Sequence, residues 1–248
     1  MAEAVQRIDR GMHHLHTLRR HSVRFLKQPD HGVVHDFDSE PGYLLVKAFA
    51  HRDPPPLFNL LIGEALYEFR AALNGLACKL VEANNKTPNA KTEFPVFAEE
   101  TKFSPKRRDL IGKMSRAHQA IIEREQPFNA YPNEPTNDPL WWLYLLSNHD
   151  RHQALHVTTA TSRGHVLVVK PPEVRPWIVL ESQTLGPLKG EAEVARYRLV
   201  NPREVDVEVD SGVELDIAFD AQSPIGARRI WLTFGDIGIR LGELLQKF

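Results

Sequence analysis

The chain has almost no cysteine, no long hydrophobic run and no surplus of charge, and each absence closes off a class of protein. One cysteine, Cys78, in 248 residues excludes an intramolecular disulfide framework and the small extracellular scaffolds built on one. A reducing, cytoplasmic setting is the expectation, with Cys78 a small filler in a helical pattern. No stretch reaches the roughly 18–20 apolar residues of a membrane-crossing helix, so no membrane partner is expected. The first residues, MAEAVQRIDRG, enter a charged amphipathic pattern without a signal-peptide core. With a formal net charge of -1, no global field draws the chain to nucleic acid, and such a partner must use a local patch. Internal repeats and low-complexity segments are also missing.

What is present is a series of helix-period segments followed by alternating ones. Residues 4–27 read as a helix with Val5, Ile8, Met12, Leu15, Leu18, Phe25 and Leu26 inward, ended by Pro29. Its other side carries Arg10, His13, Thr17, Arg20 and Arg24, a solvated basic stripe. GYLLVKAFA (42–50) reads as a strand, and DPPP (53–56) leads stiffly into a helix over 57–83. That helix should bury Ile62, Leu66, Phe69, Leu73, Leu76 and Leu80 beside a polar stripe of Tyr67, Arg70 and Asn74. Ala71, Ala72 and Gly75 are small enough for a neighbouring helix to approach. Asn- and Pro-rich loops cover 84–95 and 126–139. Between them lie one or two short helices, with Ser104 and Pro105 as cap and first residue. PLWWLYLLSNHDRHQALH, from Pro139 to His156, then reads as a helix whose first two turns are apolar all round.

From residue 164 the pattern turns to strands: GHVLVVK, WIVLESQTL and EVARYRLV. VDVEVDSGVELDIAFD alternates around a glycine-containing turn and predicts a hairpin. Val205, Val207, Val209, Val213, Leu215, Ile217 and Phe219 would face inward. Asp206, Glu208, Asp210, Glu214, Asp216 and Asp220 would form a solvated acidic face. A last helix should bury Ile230, Phe234, Ile237, Leu241, Leu244 and Phe248, and its Gly235, Gly238 and Gly242 suggest close packing. The expected fold class is α+β. Residues 1–162 would be a helical bundle with one early strand; 163–248 would be an antiparallel sheet plus C-terminal helix, packed as one unit with the first part.

Chemistry concentrates in NHDRHQALH, residues 148–156. On a helix continuing through it, His149, His152 and His156 span only about 60° of arc. Histidines four apart can reach one cation, so this stripe could hold zinc or another first-row divalent metal. A third ligand could instead come from the His13, His14 and His16 cluster. No Glu or Cys stands at a recognised ligand offset, and without this site no cofactor is expected. A second reading takes Asn148, Asp150, Arg151 and the histidines as a structural network, with Asp150 balanced by cations near Arg151 or by Arg70. A third is a binding or regulatory module without catalysis, its pocket floored by Tyr67, Arg70, Asn74 and His152.

Two resemblances bear on these residues. RHQALH (151–156) is similar to the arginine, polar residue, any three, histidine pattern of the HEPN ribonucleases. That resemblance implies a helical bundle, usually a homodimer, that cleaves RNA without metal. Arg151 would hold the scissile phosphate and His156 would shuttle protons, with His152 at the polar position and Asp150 beside them. On a regular helix Arg151 and His156 point about 140° apart, so a bend, a long arginine or a dimer cleft must bring them together. More broadly, LLIGEALYEFRAALNGLACKLV, TEFPVF, IIEREQPFN and PLWWLYLLSNHDRHQALH resemble a family of uncharacterised bacterial proteins. The family carries Arg-x-x-Leu-Asp-His on the first of these helices and Asp-Lys-His on the last. Here Asn74 and Gly75 replace Asp-His, and Arg151 replaces the lysine. The resemblance covers residues 5–160 or so and implies that the helices of Arg70 and Asp150 pair; it names no reaction.

Overall fold

A computed structural model describes residues 2–37, 42–153, 155–161, 167–170, 178–184, 186–199, 208–211 and 214–248. The fold is α+β. Its helices are α1 (Ala2–Leu26), α2 (Pro56–Glu82), α3 (Glu100–Phe103), α4 (Arg107–Ile111), α5 (Arg116–Arg124), α6 (Pro127–Ala130), α7 (Pro139–His152) and α8 (Ile230–Leu245). Its strands are β1 (His31–Phe37), β2 (Tyr43–Ala50), β3 (Val157–Thr161), β4 (Leu167–Lys170), β5 (Ile178–Gln183), β6 (Gly186–Pro187), β7 (Gly190–Leu199), β8 (Glu208–Ser211) and β9 (Leu215–Phe219). Contacts group these into two units that alternate along the chain. Unit 1 comprises Met1–Leu18, Asn59–Leu155 and Trp231–Phe248; unit 2 comprises Arg19–Phe58 and His156–Ile230.

Unit 1 is helical. α2 starts at a proline, whose missing N–H is an orphan there in any case. It stops where Asn85 takes a left-handed φ of 54°. The amides of Asn85 and Lys86 then close back onto Glu82 (2.8 Å) and Val81 (3.2 Å), a Schellman ending. All six of its expected inward residues, from Ile62 to Leu80, are buried. On α1 the buried line is Ala4, Gly11, Leu15, Leu18, Ser22 and Phe25, whereas Val5 is 46% exposed. Gly11 lies there because a Cβ would come within 2.5 Å of Phe69. The glycines expected to allow close packing behave differently: a Cβ on Gly75, Gly235 or Gly242 would meet nothing within 4 Å, and one on Gly238 only Met12, at 4.0 Å. Small residues mark close approach only where another element is present, and sequence periodicity cannot say where that is.

Ser104 is not a helix start. It closes α3, its N–H bonded to Glu100, and α4 begins after Lys106. Ser115 caps instead, its hydroxyl accepting from the His118 amide at 3.2 Å at the head of α5. Asp138 caps α7, accepting from the Leu140 N–H at 2.8 Å, with Pro139 at the first helical position. Asp138 is fully buried and also takes the Nε and Nη2 groups of Arg240 from α8, each at 3.3 Å. Arg240 reaches Glu125 as well, through the carboxylate (2.9 Å) and the backbone carbonyl (3.1 Å). Burial holds the Asp138 pKa above the ordinary carboxylate value despite Arg240. Glu125 goes the other way: burial opposes its charge, but bonds from Lys247 and Arg240 bring it below the ordinary value. Arg240 sits on the buried line of α8 with Ile237, Leu241 and Leu244. Its charge is buried because two carboxylates meet it.

Unit 2 carries the sheets. The largest runs β1-β2-β7-β5, antiparallel throughout. Its buried side includes Leu44, Val46, Ala48, Val194, Ala195 and Tyr197, joined by Leu188. β1 is an addition to the single early strand expected: HGVVHDF is too polar to announce itself and is held by its pairing with β2. Gly32, paired with Phe49, is covered by that ring, and a Cβ there would meet it at 2.7 Å. The expected hairpin is corrected. β9 pairs with β3, and β8 pairs with β4, in separate sheets. Of the inward set, Ile217 and Phe219 are buried, but so is Ala218, and Leu215 is half-buried. Residues 205–207, 212 and 213 lie outside the described residues.

Candidate functional site on helices α2 and α7

α2 and α7 touch along unit 1, and the contact decides where the candidate residues go. Asp150 packs on Gly63: a Cβ there would come 2.7 Å from its Oδ2 and 3.1 Å from its Oδ1. Glycine at position 63 lets the carboxylate lie against the α2 backbone. Asp150 does not pair with Arg70, and among the described residues it has no ion pair. Burial raises its pKa above the ordinary value, with His149 next to it working the other way.

Arg70 is buried, with 6% of its side chain exposed. One amino group lies 3.6 Å from the Glu93 carboxylate, an ion pair too long for a good hydrogen bond. The other, Nη1, is buried with no hydrogen-bond partner among the described residues. The guanidinium stands 5.8 Å over the Tyr144 ring, and Tyr144 stacks on Trp141 at 5.1 Å and 19°. Burial lowers the Arg70 pKa, Glu93 opposes that, and the positive charge of Arg151 lowers it further. Arg151 therefore lies within electrostatic reach, exposed on the last turn of α7. The remaining members of the polar stripe separate. Tyr67 is 66% exposed, and Asn74 is spent on structure, its Oδ1 accepting from the Phe94 N–H at 3.1 Å.

The helix assumed for NHDRHQALH ends early. α7 stops at His152, and Gln153 is extended at φ -147°, ψ 142°, its N–H bonded to the His149 carbonyl at 2.8 Å. The β-branched run Val157-Thr158-Thr159 enters β3, where pairing with β9 competes successfully with the helix. His149 and His152 therefore belong to α7, while His156 follows it in unit 2, bonded through its carbonyl to the Asp220 N–H at 3.0 Å. No three-histidine stripe forms on one helical face. Among the described residues, no group of three His, Cys, Asp or Glu side chains is placed to hold a metal ion. The 140° separation of Arg151 and His156 lapses as well, because they share no helix. His14, from the other histidine cluster, is bonded through Nδ1 to Glu64 at 2.9 Å, and Arg7 and Arg10 both reach Glu68.

The chain matches no protein-family model, no curated protein and no solved structure. What can be said of function rests on this geometry. Sequence reasoning missed Glu93, the Trp141–Tyr144 stack and the Arg240 cluster. The stack had a readable signal, since positions 141 and 144 are three apart and adjoin on a helix surface. Glu93 had none, because it reaches Arg70 from a loop 23 residues further along the chain. Among the described residues, no helix is long and apolar enough to cross a membrane.

Proposed function

We propose that the α2–α7 face of unit 1 binds RNA through its phosphate backbone. The observation that carries this reading is the buried Arg70 guanidinium with an unpartnered Nη1. A buried donor left unpaired is costly, and a single carboxylate at 3.6 Å offsets Arg70 while Arg151 adds a second positive charge nearby. Nη1 has no exposed surface, so the side chains over it must shift to admit an anion; one with two or more oxygens would then satisfy it and balance the second arginine, which is the geometry arginine offers to phosphate. The half-buried Trp141–Tyr144 pair beside it suits a ligand with flat bases. This local patch is what a chain of near-zero net charge needs to meet nucleic acid.

The test is fluorescence anisotropy with a labelled single-stranded RNA, in EDTA, across a salt series. Binding should weaken with salt. Arg70→Met and Arg151→Met should each lose at least about tenfold in affinity, roughly 1.4 kcal/mol. Each should also lower the slope of log K against log salt by about 0.7, the signature of one lost phosphate contact on a single strand. Wild-type affinity in the exposed Arg151 variant, or no binding by the parent chain, would overturn the reading. Gel analysis of the same samples reads hydrolysis. The ribonuclease resemblance requires that cleavage disappear in Arg151→Ala and His156→Ala.

A further inference from the structure

A cavity of about 430 Å³ opens elsewhere in unit 1, lined by Arg124, Glu125, Tyr131, Arg240, Glu243 and Lys247, with Asn129 and Ala130. Its size falls in the lower part of the range for small-molecule sites. Its chemistry follows from which side-chain valences are already used. Glu125 is saturated: its Oε1 takes Arg124 Nε at 3.3 Å, and its Oε2 takes Arg240 at 2.9 Å and Lys247 at 2.7 Å. Arg240 is committed to Glu125 and Asp138. Both side chains are at least nine-tenths buried, so the wall they form is rigid and already compensated.

The rim retains capacity. Arg124 is 68% exposed and, among the described residues, uses only its Nε, leaving both terminal amino groups. Lys247 uses one of three donors. The Tyr131 hydroxyl stays protonated, since burial and then Asp138 raise its pKa, and it is one more donor. All three line the cavity and offer donors that an anionic oxygen pair could accept. Against them stands Glu243, exposed, one turn of α8 beyond Arg240 and with no ion pair among the described residues. It repels a second negative charge and attracts a positive one. A ligand satisfying all four carries a carboxylate and an ammonium group a short distance apart.

We propose that this cavity binds a small zwitterion, a free amino acid or a molecule with the same paired carboxylate and ammonium groups. The site is separate in residues from the RNA-binding face and does not depend on that reading.

The test uses the full chain in thermal-shift and calorimetric titrations. The probes are the common L-amino acids one at a time, with acetate and methylammonium as single-charge controls. At least one amino acid should bind with one-to-one stoichiometry and raise Tm, and neither control should do so at the same concentration. Glu243→Gln alters an exposed side chain and should leave the ligand-free Tm unchanged while weakening that amino acid at least tenfold; Arg124→Gln, which also takes a partner from the buried Glu125, should weaken it at least tenfold and lower the ligand-free Tm. Arg70→Met should leave it untouched. The proposal is overturned if no amino acid binds at millimolar concentration, if acetate binds as well as the best amino acid, or if both rim variants bind like the parent.

Discussion

Replacing Arg240 with methionine should be costly to unit 1, and its cost can be apportioned. Methionine keeps much of the aliphatic packing on the buried face of α8, so the loss is electrostatic. Glu125 would retain Lys247 at 2.7 Å and Arg124 at 3.3 Å. Asp138, with no exposed surface, would retain among the described residues only the Leu140 N–H. Leaving one member of a buried ion pair without its partner costs about 3–5 kcal/mol, and most of that should fall on Asp138. The second substitution isolates it. Asp138→Asn removes the stranded charge and keeps the oxygen that caps α7, and asparagine caps as well as aspartate. Arg240→Met with Asp138→Asn should therefore recover at least half of what Arg240→Met loses. Urea unfolding, followed by the fluorescence of Trp141, Trp142 and Trp231 in unit 1, measures both. A loss below about 1 kcal/mol for Arg240→Met, the scale of a surface ion pair, would refute the reasoning. So would a double variant no more stable than the single one.

Two further predictions concern the rest of unit 1. The folded-state pKa of Asp150 is raised, so its protonated form favours folding below the unfolded value of about 3.9, and that contribution is lost as pH rises through the folded value. Asp150→Asn should accordingly melt at or above the parent at pH 7.5, with the advantage gone in acid below the unfolded value; a larger loss at pH 7.5 than in acid would contradict this. Gly11→Ala should destabilise by about 1–3 kcal/mol, because its methyl meets Phe69 at 2.5 Å and the Ala65 carbonyl at 3.2 Å. Gly235→Ala points into open space and should stabilise by up to about 1 kcal/mol. The two melting temperatures must move in opposite directions.

Much of the fold was legible because helix period and burial coincide. On α2 the spacing named the buried residues from Ile62 to Leu80, and on α8 those from Ile230 to Leu244. Pairing was less legible. The alternation over 205–220 reports strands but not partners, and β9 found β3 rather than β8. The end of α7 was hidden for a related reason: helical spacing ran on to His156, while strand pairing beyond it ended the helix at His152. At the candidate site, Arg70 and Arg151 were singled out by type and position, but the depth of Arg70 depends on its surroundings. Arg240 escapes notice because an arginine in an apolar helix ordinarily reads as solvent-facing. Its position, three after Ile237 and four before Leu244, placed it on the buried line all along.

The bonds from Arg240 to Asp138 and Glu125 span 102 and 115 residues, which gives them a place in time as well as in space. At about 5–20 residues per second of synthesis, the ribosome adds Arg240 roughly 5–20 seconds after Asp138. For that interval the nascent segment holding α2 to α7 has two carboxylates destined for burial and no guanidinium to meet them. Unit 1 closes around them with compensated charge only once α8 has emerged, so its assembly waits on a segment made more than a hundred residues later.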